Sequence, residues 1–160
     1  MLPGREVLTM ADWKKILIAV DESPLSERVA DYVGRVVSGH EGVDICLLQV
    51  YPEPPPYFYQ EGHNLKEFQQ EKESTAQKVF QRLLPVLEGY GFAPETIQTS
   101  CHMADGVSLS KEILVIREQG DFGTVVLGRR GISKAEEFLF GSISTAILRE
   151  SHNFTVWVVS

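Results

Sequence analysis

The chain is short of cysteine, of positive charge and of long apolar runs. Its two cysteines, Cys46 and Cys101, sit in separate apolar stretches, with no C-x-x-C or mixed Cys/His spacing. That speaks against a disulfide framework or a zinc site and leaves two buried free thiols as the expectation. Asp and Glu number 22 against 15 Lys and Arg, a formal net charge of −7, and no Lys/Arg run offsets the imbalance. An extended nucleic-acid surface needs a basic patch, so no nucleic-acid partner is expected. No stretch approaches the roughly 18 consecutive apolar residues of a membrane span. Met1 to Asp12 lack the apolar centre of a signal peptide. The expectations are therefore no membrane partner and a cytoplasmic location. Residues 1–13 are expected to form a flexible arm, with Met10 an alternative start, and residues 14–160 a single domain.

Several catalytic signatures are also missing. There is no G-x-x-x-x-G-K-[ST], which speaks against a P-loop NTPase, and no G-x-G-x-x-G after the first strand, which speaks against an NAD-type fold. His40, His63, His102 and His152 are scattered, without metal-ligand or triad spacing. No Ser/His/Asp or Cys/His arrangement suggests covalent catalysis. No catalytic or metal-ligating residue set is assigned.

What is present alternates regularly. Near-continuous apolar runs at Lys15–Val20, Val43–Val50, Ile97–Met103, Asp121–Leu127 and Thr155–Val159 predict strands of a parallel sheet covered on both faces. Helical spacing predicts a helix after Ser23 as N-cap and Pro24 as first helical residue, with Leu25, Val29, Tyr32, Val33, Val36 and Val37 inward. A long helix is predicted over Asn64–Tyr90, kinked or split at Pro85. Leu109, Ile113, Leu114 and Ile116 mark a third helix, capped by Asp105 or Ser108, and Ser142–Arg149 a fourth. Tyr51–Tyr59, rich in proline and aromatics, is expected to be a surface loop. The order βαβαβαβαβ predicts a doubly wound α/β fold, a five-stranded parallel sheet of order 3-2-1-4-5 with helices on both faces.

The most informative local pattern is Gly128-x2-Gly131-x9-Gly141-Ser142, between a buried strand and a helix start. Glycines let backbone approach a ligand closely, and a helix start offers unpaired N–H groups to an anion. The full spacing favours a phosphate site over simple turns. Ser142 and Ser144 add hydroxyls. Arg129, Arg130 and Lys134 are either solvated loop charges or a source of one phosphate-neutralising cation. Asp21, after strand 1, reads equally well as a holder of ribose or metal-bound phosphate and as a turn or capping residue. Val50, ending strand 2, is a candidate to offer backbone groups to a purine.

Three segments carry a family likeness: Lys14–Ser23, Leu47–Val50, and Leu127-Gly128-x2-Gly131-x9-Gly141-Ser142-Ile143-Ser144. On these, the chain resembles the nucleotide-binding branch of the universal stress proteins, over nearly all of Lys14 to Val159. The resemblance implies an adenine nucleotide alpha hydrolase-like fold and ATP or AMP as ligand. It implies that Ala19, Val20 and Asp21 line an adenosine pocket and that Val50 meets adenine. It places Leu127 and Gly128 beside base and ribose, and wraps Gly131, Gly141, Ser142, Ile143 and Ser144 around ribose and phosphates. Mg or Mn would accompany the phosphates of ATP, with Asp21 the one protein ligand in view. Two positions depart from the family pattern. Gln49 stands where a histidine is usual, and the proline usually leading into strand 5 is absent from Ser151–Thr155.

The functional expectation is a cytoplasmic adenine-nucleotide-binding stress regulator, with unknown protein partners. The alternatives are a slow ATPase or nucleotidyl transferase using the same pocket, and a nucleotide-free interaction module. The H-I-G-H and S-G-G-x-D-S motifs of related enzymes are absent. A homodimer through strand 5 is expected, because Val156, Trp157 and Val158 form a short apolar strand at a sheet edge, and the family resemblance implies the same contact.

Overall fold

The computed structural model describes residues 10–129 and 143–160, so Gly131, Gly141 and Ser142 of the glycine motif lie outside the described residues. Five strands form one sheet: β1 Lys15–Ala19, β2 Asp44–Pro52, β3 Ile97–Ala104, β4 Thr124–Gly128 and β5 Thr155–Val159. Their order is β3-β2-β1-β4-β5, as the sequence predicts, and all four pairings are parallel. The helices are α1 Leu25–Val37, α2 Pro56–Gln60, α3 Leu65–Glu88 and α4 Leu109–Gln119, with a further helical stretch over residues 143–149.

Strand pleating divides the core. Ile16, Ile18, Ile45, Leu47 and Val126 point to a layer built by Val29 and Val33 of α1 with Val79, Phe80 and Leu83 of α3. Their strand neighbours Leu17, Cys46, Leu48, Val125 and Leu127 point the other way, onto Ile113 and Ile116 of α4 and onto Ile147. The period of two places consecutive residues on opposite faces, so runs apolar at every position suit a sheet sandwiched by helices. Helices α1 and α3 touch closely. A Cβ on Gly34 would land in the Tyr90 ring, and the Tyr90 hydroxyl donates to Asp31 Oδ1 at 2.6 Å.

Four local expectations are corrected. Ser23 does not cap α1, which begins at Leu25 after Pro24 with no side-chain cap; the Ser23 hydroxyl turns back to Asp21 instead. The proline-rich stretch is not all loop. Pro56 opens the short α2, where its missing N–H has no intrahelical partner to lose. The long helix is not split: α3 runs from Leu65 to Glu88 through Pro85. Pro85 lies in the last turn, and Leu83 and Leu87, both fully buried, anchor the chain on either side of it. The first helix's apolar stripe is wider than its buried face, since Tyr32 and Val36 are exposed. The long helix starts at a capping box, Asn64 Oδ1 accepting from the Glu67 N–H and Glu67 reaching back to the Asn64 N–H. Ser108 caps α4.

Candidate functional site

The doubly wound order leaves one crevice. The chain leaves β1 toward α1 on one face, and after β4 it reaches the 143–149 helix on the other. Strands β1 and β4 are neighbours, with Ile18 opposite Val126. Continuing that register sets Ala19 beside Leu127 and Val20 beside Gly128. Between the carboxyl ends of such strands ligands bind in open α/β sheets.

The site residues named from sequence divide between the walls. Ala19, Val50, Leu127 and Ile143 belong to the layer under α4, and Val20 to the layer under α1. Val50 lies farther along β2, because Ala19 already pairs with Leu48 and Val50 pairs with His102 of β3. Ser144 is buried. The described part of the motif thus supplies apolar walls around the strand ends.

The turn from β1 into α1 is internally bonded. Asp21 Oδ1 accepts from the Ser23 N–H at 2.9 Å, the Ser23 hydroxyl at 2.5 Å and the Ser26 hydroxyl at 3.2 Å. The Asp21 N–H donates to Ser26 Oγ at 2.9 Å. Arg82 of α3 holds the same turn from outside, donating to the Glu22 and Ser23 carbonyls at 3.3 Å and pairing with Glu27 at 2.8 Å. Of the two readings of Asp21, the turn-forming one has these contacts behind it. A carboxylate fixed in this way also presents a set orientation at the strand end.

Gly128 serves a purpose that spacing alone does not reveal. It ends β4, and the described glycines with positive φ are Gly39, Gly42, Gly62, Gly91 and Gly106. Its lack of a side chain matters for packing: a Cβ there would stand 2.9 Å from Leu25 Cδ2 and 3.2 Å from Val29 Cγ2. The recess bounded by Ala19, Asp21, Leu25, Val29 and Gly128 measures about 10 Å³, room for about one water.

Gln49, the position departing from the family histidine, is buried, and its Oε1 has no hydrogen-bond partner among the described residues. It pairs in register with Cys101. Burial pushes the thiol of Cys101, and that of Cys46, up to about 11; at Cys101 the nearby Glu73 adds to the effect. Neither is primed as a nucleophile. Among the described residues no cluster of His, Cys, Asp and Glu is suited to a metal ion, and no helix is long and apolar enough to cross a membrane.

One polar residue escaped the sequence reading. Arg117 is buried on α4, beside a cleft between that helix and residues 150–154. The signal was available: Arg117 stands four residues after Ile113, on the apolar stripe itself.

The fold has counterparts among solved structures. The universal stress protein UspA from Lactobacillus plantarum superposes with a TM-score of 0.68 at 18% identity, covering 94% of this chain and 99% of its own. A universal stress protein solved in complex with cAMP gives 0.66 at 14% identity, covering 91% and 95%. The universal stress protein from Archaeoglobus fulgidus in complex with dAMP gives 0.58 at 19% identity, covering 91% and 96%. At such identities the likeness establishes the fold. No curated protein matches the chain. The model of the universal stress protein family matches residues 12–160, nearly the whole sequence, and the chain belongs to that family.

Proposed function

We propose that this chain binds an adenine nucleotide, ATP or AMP, in the crevice between β1 and β4, and acts as a stress regulator through that binding rather than by catalysis. The observation that carries the reading is the convergence of Ala19, Val20 and Asp21 with Leu127 and Gly128 at the point where consecutive crossovers leave for opposite faces. The similar structures with cAMP and dAMP support an adenine ligand. Base and ribose would lie against the strand ends and Val50. Gly131, Gly141 and Ser142, with Ile143 and Ser144, would receive the phosphates. The described recess accepts about one water, so Leu25 has to yield or the ligand has to lie outside it, toward the motif. An Mg or Mn ion would be held chiefly by the phosphates, with Asp21 the nearest carboxylate. Calorimetric titration of the full chain with ATP and with AMP tests the reading. Saturable binding is expected, and its loss in Gly141→Val with an unchanged circular dichroism spectrum. Unchanged affinity in that variant overturns the phosphate site, and steady release of ADP would favour the slow-ATPase alternative.

The same reading makes the protein a homodimer through β5, in a cytoplasmic setting. Strand β5 is a sheet edge. Trp157 meets Tyr32 edge-on at 6.3 Å, Tyr32 and Val36 of α1 are exposed on that face, and Val158 is exposed on β5 itself. An exposed apolar edge invites pairing, and a second copy about a two-fold axis covers it. Light scattering after gel filtration is expected to give the dimer mass at micromolar concentration. Val158→Pro, which removes an edge donor, is expected to shift it to monomer or aggregate. A wild-type monomer refutes the assignment.

A further inference from the structure

The buried residues of α4 are Ile113, Ile116 and Arg117, and Arg117 is only 7% exposed. A guanidinium so far removed from water is costly unless its charge and its donors are answered. Nε donates to the Phe122 carbonyl at 2.8 Å. The guanidinium carbon lies over the Phe154 ring, 4.5 Å from its centroid. These two contacts hold the group in place while using a single N–H. Among the described residues no carboxylate pairs with Arg117, and no further acceptor receives its Nη groups.

Arg117 lines a cleft of about 200 Å³ between α4 and residues 150–154. Lys111 brings a second positive charge to it and Asn153 a neutral amide, while Glu118 and Glu150 bring negative charge to the same lining. A planar guanidinium with free Nη groups matches the two oxygens of a carboxylate, and the Phe122 carbonyl and the Phe154 ring hold it in place in advance. Glu118 and Glu150 oppose a dianion and tolerate a single negative charge, the more so where the ligand carries its own cation. The volume falls below the roughly 300–1,000 Å³ of drug-sized sites, which points to a small molecule. We propose that this cleft binds the carboxylate of a small monoanionic or zwitterionic ligand on Arg117, as a site separate from the nucleotide crevice.

The test uses the full chain labelled with nitrogen-15, titrated at constant ionic strength with acetate, with glycine and with inorganic phosphate. The readouts are the Arg117 Nε–H resonance and the backbone amides of Phe122 and Asn153. Acetate or glycine is expected to move them saturably, phosphate at least several-fold more weakly, and ATP not at all. Arg117→Lys, which lacks the fork, is expected to weaken the binding about tenfold or more. Val115→Trp is expected to abolish it by filling the cleft from another wall with Arg117 intact, and it decides the matter if Arg117→Lys fails to fold. The proposal falls if the shifts stay linear for both acetate and glycine. It falls equally if phosphate binds as tightly as either, if ATP moves the same resonances, or if Val115→Trp keeps the wild-type affinity.

Discussion

The recess above Gly128 and the cleft beside Arg117 both join a charged side chain to apolar walls, and they use that charge in opposite ways. Above Gly128, the carboxylate of Asp21 accepts three hydrogen bonds from Ser23 and Ser26, and Leu25 occupies the space a side chain at 128 would need. Beside Arg117, a buried guanidinium donates once to the protein and otherwise faces a cleft of about 200 Å³. Gly128, the described glycine of the motif, is packed against Leu25 and Val29, whereas the buried Arg117, with no carboxylate partner among the described residues, lies where no motif exists. A motif records residues held close along the chain. A cleft between residues 111–118 and 150–154 exists only after folding has brought them together.

Three substitutions sharpen that contrast. The largest effect is expected from Gly128→Val, whose added atoms have to displace Leu25 and Val29. Overpacking of this kind costs about 1–3 kcal/mol, so chemical denaturation should show a lower midpoint as well as lost nucleotide affinity. A fully stable variant would mean that α1 shifts freely and that the tightness described here is not restrictive. Next comes Asp21→Ala, which removes the acceptor organising the β1–α1 turn. A stability loss of about 1–2 kcal/mol is expected, the scale of a lost capping residue. If urea melts are unchanged while ATP affinity drops, Asp21 belongs to the ligand rather than to the turn. The smallest effect is expected from Phe154→Leu, which takes the stacking partner from Arg117. About 1 kcal/mol of stability should go, and calorimetry should find nucleotide affinity unaltered. An altered affinity would show that the two recesses are coupled.

Much of the architecture was legible because its signals are local. Five apolar runs separated by helical periodicities specify a doubly wound sheet, and the fold's rules on crossovers turn that into a strand order. The errors also have physical causes. Prolines predict a loop at Tyr51–Tyr59, yet Pro56 stands at the first helical position of α2, where a proline loses nothing. Pro85 predicts a kink or a split, yet α3 runs on through it, with Leu83 and Leu87 buried on either side. Ser23 carries the right chemistry for an N-cap, and Asp21 two residues earlier competes for its hydroxyl with a bond of 2.5 Å. For the site, the strand ends Ala19, Leu127 and Gly128 could be placed from topology. That Gly128 makes room for Leu25, rather than for a ligand alone, required knowing which helix crosses above it. Arg117 went unread because one cation on an apolar stripe carries little weight until its partners are known.

Before β1 the chain crosses the base of β4 and β5. The Ala11 N–H donates to the Asn153 carbonyl at 3.2 Å, and Gly123 leaves the space that Asp12's backbone occupies, so that any side chain at 123 would collide with it. The Thr124 hydroxyl adds a bond to the Trp13 carbonyl at 2.9 Å. The consequence bears on translation initiation. A polypeptide begun at Met10 would retain this whole strap, whereas one begun after Trp13 would lose it and uncover the base of two strands. Three consecutive backbone positions, 11 to 13, thus clasp the base of the two strands.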